Sequence, residues 1–175
     1  MATGSRRVFF CPGDSVAAMA DIYELSIVLN LREDLSDEEL AEFRWHLGLG
    51  PKPEILRIVP KFPIVVEGDA GEPVIEDHPA PLLGQLGDAR KVNGALTAVL
   101  VRPQDPVNGA WALTVRQEIH PDQFDVTGEL LAWLSTKADD RHCLQAGTVH
   151  LGWIRFYESD RFEPLVVRDG EIAWP

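Results

Sequence analysis

The stretch IYELSIVLNL, residues 22–31, decides the fold, because apolar and mostly polar side chains alternate along its whole length. A period of two residues places alternate side chains on opposite faces of a strand, so the stretch predicts a β-strand with one buried face. The side chains predicted to face the core are Tyr23, Leu25, Ile27, Leu29 and Leu31. The residues between them are predicted to lie on the face that points away from the helices.

A helix is predicted directly after this strand, in the sequence DLSDEELAEFRWHLG (34–48). Ser36 and Glu39 have the spacing of a capping box, and acidic residues fill the first turn, where the helix dipole favours negative charge. Gly48 supplies a stop signal at the other end. Together these signals predict a helix over about 36–47.

The same pattern of strand and helix returns in the second half of the chain. The sequence AWALTVRQEI (110–119) has the alternation of a strand, and the sequence PDQFDVTGELLAWLSTK (121–137) predicts a helix over about 122–136. Trp133 of this helix matches Trp45 of the first. Because the second helix has the wider apolar arc, we expect Trp133→Ala to destabilise the protein more than Trp45→Ala.

Two interpretations of this similarity stay open at the level of sequence. The first is an internal pseudo-repeat, with halves at about 8–75 and 99–174 and a connecting segment at 76–94; the stretches VFFCPGDSV (8–16) and VLVRPQDPV (99–107) support it. The second is that any two strand–helix pairs share a hydrophobic pattern.

The remaining segments add strands and turns. Prolines break up residues 51–67, which predicts only short edge strands there. Asp169-Gly170 is a strong signal for a hairpin turn. The predicted strands lie near 55–59, 63–67, 95–103 and 148–158, and the C-terminal hairpin covers 164–174. The sequence therefore predicts one α+β domain over 1–175, with a largely antiparallel sheet from two similar β-α-β-β halves and two main helices on one face.

The segments YELSIVLNLREDLSDEELAEFRWHLGLG and WALTVRQEIH resemble those of uncharacterised actinobacterial proteins. At the level of pattern, the chain also resembles tandem ferredoxin-like and α+β-barrel proteins. These resemblances cover the central strands and helices, imply an α+β architecture and bring no known activity.

Charge and composition exclude several classes of partner. The net charge of −12 and the pI near 4.7 oppose binding to phosphate backbones and to anionic lipid, and no run of Lys and Arg counters this field. No apolar run reaches the roughly 18 residues of a membrane span. We therefore expect a cytoplasmic protein that binds neither nucleic acid nor membrane, with Cys11 and Cys143 as free thiols.

No motif for a cofactor, a nucleophile or a metal stands out in the sequence. The loop-like segments EDH (76–78) and DDRHC (139–143) bring ligand-type side chains together, but such clusters are usually solvated. We predict no cofactor and no metal site.

Strand alternation gives the best candidate for a chemical site. Arg116, Glu118 and His120 are predicted to share a sheet face with Trp153, Arg155 and Tyr157. A histidine beside a carboxylate is a candidate general base, and the arginines and aromatic rings would bind an anionic small molecule. The alternative is an ordinary wet sheet face whose charges form cross-strand pairs.

Trp45 and Trp133 are predicted to lie off the main apolar stripe of their helices, as interface residues do. With no catalytic motif, the sequence favours a non-catalytic protein that binds a partner or itself, for example as a homodimer. The alternative is a small-molecule-binding protein or enzyme of the α+β-barrel type that uses the polar sheet face.

Overall fold

The computed structural model describes residues 21–104 and 110–175, so the predicted half-repeat segment 8–16 lies outside the described residues. Its elements follow the order β1 (Tyr23–Leu31), α1 (Asp37–His46), β2 (Pro63–Glu67), β3 (Pro73–Asp77), β4 (Gly87–Asp88), β5 (Ala95–Val101), β6 (Trp111–Ile119), α2 (Phe124–Lys137), β7 (Thr148–Phe156), β8 (Glu163–Arg168) and β9 (Glu171–Ile172). The predicted strand–helix order around β1 and β6 is confirmed.

A seven-stranded antiparallel sheet organises the fold, in the order β4-β5-β6-β1-β7-β8-β9. The stretch IYELSIVLNL forms its central strand, β1. Ile27 in the middle of β1 lies opposite Val115 of β6 and Gly152 of β7. Gly152 permits this close approach, because a Cβ atom there would lie 2.0 Å from the carbonyl oxygen of Ser26. The predicted mixed α+β fold with a large antiparallel sheet is confirmed.

One face of the sheet is covered by both helices. Leu25, Ile27 and Leu29 are buried there in one apolar core with side chains of α1 and α2. The helices are neighbours, since the rings of Phe43 and Trp133 lie 5.3 Å apart between centroids. Large side chains with almost no exposure make this core the main source of stability.

Helix α1 begins and ends where its signals predict. Ser36 is the N-cap and forms the capping box with Glu39, which satisfies backbone N–H groups of the first turn. Gly48 follows the helix with a positive φ of 68°, and a Cβ atom there would lie 3.1 Å from the carbonyl oxygen of Gly84. A glycine is therefore required at this stop for two reasons, its backbone conformation and its close neighbour.

The two halves differ in their outer strands. Strands β8 and β9 extend the large sheet, with the predicted turn at Asp169-Gly170, whereas β2 and β3 pair only with each other in a separate two-stranded sheet. The similarity of the two predicted halves, 8–75 and 99–174, therefore does not extend to the places of these strands in the structure. The predicted edge strand near 55–59 is an irregular loop, although Ile58 and Val59 in it are buried.

Candidate functional site

The loop of residues 90–95 covers one end of the sheet face opposite the helices, where it bonds to Glu118 and Arg116, and we call this whole face the open face. It carries the outward side chains of β5, β6, β1 and β7. Val99 of β5, Thr114 of β6 and Val28 of β1 lie side by side in register across three strands. The large apolar side chains on it are strongly exposed: Val28 61%, Val99 44%, Val101 50% and Trp153 45%. Contiguous exposed apolar side chains of this kind mark interaction sites.

A buried carboxylate lies at one end of the open face, between two arginines. The Nε–H of Arg116 donates to Glu24 Oε1 at 2.7 Å, and the Nε–H of Arg155 donates to Oε2 at 3.1 Å. Arg116 also donates to the carbonyl oxygens of Asn93 and Ala95. The prediction that Arg116 and Arg155 share a face is confirmed by this geometry. Strand alternation predicts Glu24 on the same face, but no local sequence signal marks it as the partner that both arginines share.

Glu118 and His120 have separate structural roles. The Glu118 carboxylate accepts hydrogen bonds from the backbone N–H groups of Arg90, Lys91 and Val92. Burial favours a raised pKa for Glu118, but these hydrogen bonds outweigh it and hold the pKa below its ordinary value. His120 accepts a hydrogen bond at Nδ1 from the N–H of Asp122, which caps the short turn before α2. The structure thus uses both side chains to fix loops.

The other predicted binding residues also lie at this end of the molecule. The Arg155 guanidinium stacks over the ring of Phe162 at 4.8 Å, and Trp153 meets the edge of His150 at 5.2 Å. Tyr157 donates from its hydroxyl to Glu158, which raises the pKa of the phenol, and the Lys91 ammonium lies 5.7 Å from its ring centroid. Trp153 and Arg155 therefore belong to the open face, while Tyr157 sits at its margin.

A cleft of about 620 Å³ opens beside Glu118 and His120. Its other polar lining includes Lys91, Gln85 and Gln123. The volume is within the range of ligand pockets, which are typically about 300–1,000 Å³.

The two tryptophans predicted as interface residues have different surroundings. Trp45 is only 6% exposed, because Phe62 and His46 cover its ring. Its ring is therefore buried inside the chain and offers no surface to a second subunit. Trp133 is partly buried, packs on Phe43 and donates its indole N–H to Glu39.

Helix α1 also buries a polar pair, Glu42 and His46, which are 1% and 0% exposed. The Glu42 carboxylate accepts hydrogen bonds from the N–H groups of Arg57, Ile58 and Val59. Nε2 of His46 lies 3.6 Å from Glu42 Oε1, and both ring nitrogens have no hydrogen-bond partner among the described residues. Burial lowers the pKa of His46 to about 4, although Glu42 opposes this shift.

The predicted metal alternatives have ordinary partners. His78 pairs with Glu76 at 2.8 Å on the surface, and Nε2 of His142 accepts the N–H of Asn30 at 3.0 Å. Within residues 21–104 and 110–175, no group of three or more His, Cys, Asp or Glu side chains is close enough together to hold a metal ion. Cys143 is exposed and free, and Cys11 lies outside the described residues.

Comparisons with known proteins leave the site to be interpreted from its own geometry. No protein-family model, curated protein or solved structure is significantly similar to the chain. Neither α1 nor α2 has the length and apolar composition that a membrane crossing requires, and the described residues contain no other helix of that kind.

Proposed function

We propose that the protein is a non-catalytic binding protein that associates with a second copy of itself through the open face. The observation that carries this proposal is the exposure of Val28, Val99, Val101 and Trp153 across adjacent strands. Covering these side chains removes apolar surface from water, at roughly 25 cal/mol per Å². Glu118 and His120 already serve as loop anchors, which favours binding over acid–base catalysis.

The size of the open face fits a homodimer. Four strands spaced about 4.8 Å apart, the longest of nine residues rising about 3.3 Å each, give a face of roughly 19 by 30 Å. That is about 570 Å², close to the roughly 600 Å² per partner at the lower end of stable specific interfaces.

The charges of the open face also favour a second copy. The side chains of Arg116 and Arg155 are 24% and 18% exposed, whereas that of Glu24 between them is 5% exposed. Glu24 and Glu118 on this face are buried, so the charged atoms that it exposes belong to the two arginines, and a second copy of a chain with a net charge of −12 offers acidic surface to them.

Val28→Glu tests the proposal, because it places a charge at the most exposed apolar position of the open face. We expect the wild type to sediment as a dimer at micromolar concentration and Val28→Glu to dissociate at least about tenfold more readily. Ile55→Glu is the matched control, since Ile55 is 66% exposed but lies in a loop outside the strands of this sheet. A wild type that stays monomeric at all concentrations overturns the proposal.

A second proposal concerns the evolutionary origin of the internal repeat. We propose that the units β1–α1 and β6–α2 are copies of one ancestral unit. Both strands have nine residues, and their central residues Ile27 and Val115, which match in the sequence, lie directly opposite each other. Homologues in which the two units are more alike than here would support it, and homologues lacking any similarity beyond hydrophobicity would contradict it.

A small-molecule-binding function or an enzyme of the α+β-barrel type is the second candidate, and the cleft beside His120 favours it. A small anionic ligand would meet Lys91 and the amide of Gln123 there. A thermal-shift screen of small organic acids tests this candidate. A rise in Tm that is lost in His120→Ala and Lys91→Ala would support it, and no shift with any anion would oppose it.

A further inference from the structure

Strands β2 and β3 form a hairpin, residues 63–77, which we call the arm. Its base is fixed to the body of the protein. Phe62, directly before the arm, is 5% exposed in the core, and its carbonyl oxygen accepts the N–H of His78 at 2.9 Å. The side chain of Asp77 accepts the N–H of Phe62 and closes the base. The arm therefore leaves the core at a defined place.

Beyond its base, the arm exposes apolar side chains. Val65 and Ile75 are cross-strand neighbours and are 71% and 72% exposed. The two strands pack mainly against each other. A two-stranded hairpin alone is marginally stable in water, and packing against a further surface is what normally stabilises it. The arm thus has the properties of an element that is completed by a partner.

The charge of the arm identifies the chemistry of that partner. Glu67, Asp69, Glu72, Glu76 and Asp77 lie on it, and no Lys or Arg occurs between Lys61 and Arg90. An apolar pair in an acidic surround fits an apolar surface that also carries basic groups. The open face has these properties, because Val28, Val99 and Trp153 share it with Arg116 and Arg155, whose side chains are 24% and 18% exposed.

We propose that the arm of one copy packs its Val65 and Ile75 surface onto the open face of a second copy. The inference rests on the proposed self-association and names the element that the open face receives. The exchange is reciprocal, because an isologous pair of contacts closes into a dimer, whereas a one-way contact would extend into filaments. The acidic side chains of each arm then approach the arginine pair of the other copy.

Cross-linking between two single-cysteine proteins tests the contact directly. Cys11 and Cys143 are replaced by Ser, and Val65→Cys is made in one preparation and Val28→Cys in a second one with a different mass tag. The two are mixed, allowed to exchange subunits and treated with a short bismaleimide. Docked cysteines have an effective concentration near millimolar, so we expect the mixed product to exceed that of an Ile55→Cys and Val28→Cys mixture by about tenfold or more.

The outcomes separate the two proposals. Mixed Val65–Val28 products from a dimeric protein support the arm contact. A dimer that gives only Val28–Val28 or only Val65–Val65 products, or no product at all, overturns the arm contact while self-association stands. A protein that is monomeric throughout overturns both.

A charge test on the same contact needs no cross-linker. Val28→Lys and Val28→Glu disturb packing at one position with opposite charges. If the acidic arm covers this position, Val28→Glu weakens dimerisation several-fold more than Val28→Lys, and added salt narrows the difference. Equal weakening by both variants, unchanged by salt, overturns the arm contact.

Discussion

Helices α1 and α2 each follow a nine-residue strand and pack into one core, yet they bury side chains of different chemistry. Where α2 places Leu130 and Leu134, both 0% exposed, α1 places Glu42 and His46 at 1% and 0%. A helix that follows a strand and packs on this sheet therefore does not itself require a buried polar pair.

The difference between the helices follows from what comes after them. The chain after α2 enters β7 after a short connection. The chain after α1 instead forms a long excursion, a segment that includes the loop at 57–59 and the arm and that ends where β5 begins. The Glu42 carboxylate holds that loop in place, because it accepts hydrogen bonds from the backbone N–H groups of Ile58 and Val59. A buried carboxylate is stable when several N–H groups bond to it, so Glu42 marks the place where the excursion is attached to the core.

The largest test of this comparison is Glu42→Leu, which gives α1 the residue of α2. It leaves buried N–H groups of the loop unpaired, and we expect the free energy of unfolding to fall by about 5 kcal/mol. Urea denaturation measures it. Glu129→Leu is the matched control, because Glu129 is exposed on α2 and its replacement should change stability by less than about 0.5 kcal/mol. Equal losses in the two variants would contradict the attachment role.

The tryptophans give the next test, and here the structure reverses the expectation from the sequence. Trp45 is nearly buried, so Trp45→Ala should destabilise by about 4 kcal/mol through loss of packing. Trp133 is only partly buried, and Trp133→Ala should cost about 2 kcal/mol, including the hydrogen bond to Glu39. Melts in denaturant compare the two directly. A larger loss of stability in Trp133→Ala than in Trp45→Ala would instead support the prediction made from the wider apolar arc of α2.

These residues also show how far sequence reasoning reaches. Alternation identified β1, and the spacing of Ser36 and Glu39 identified the start of α1, because both signals are local. A helical wheel places Trp45 off the apolar stripe and therefore predicts an exposed side chain. The wheel cannot show that Phe62, which is distant in the sequence, covers this second side of α1.

The candidate site shows the same limit. The alternation of side chains along the strands predicts Arg116 and Arg155 on one face, and the structure bears this out. It could not assign their partner, because Glu24 became the shared carboxylate only through the register of β1 with both β6 and β7. Nor could it foresee that Glu118 bonds to a loop some distance away in the sequence.

The dependence of stability on pH gives the last test, and it isolates His46. Its pKa is about 4 in the folded protein and 6.5 in a free side chain, so the unfolded chain binds the proton more readily between these values. The contribution of the uncharged His46 to the free energy of unfolding is therefore fully present above about pH 6.5. It is lost as the pH falls towards 4, which lowers the free energy of unfolding by about 3 kcal/mol in total.

His46→Leu, which again copies α2, separates this contribution from that of carboxylates titrating in the same range. The variant loses no hydrogen bond of the ring that the structure shows, so its stability at pH 7 should equal or exceed that of the wild type. On acidification, the wild type should lose about 3 kcal/mol more than His46→Leu between pH 7 and pH 4. Parallel stability curves for the two proteins would mean that the imidazole stays accessible to protons in the folded state. In that case the burial of His46 between Glu42 and Trp45 could not be what distinguishes α1 from α2.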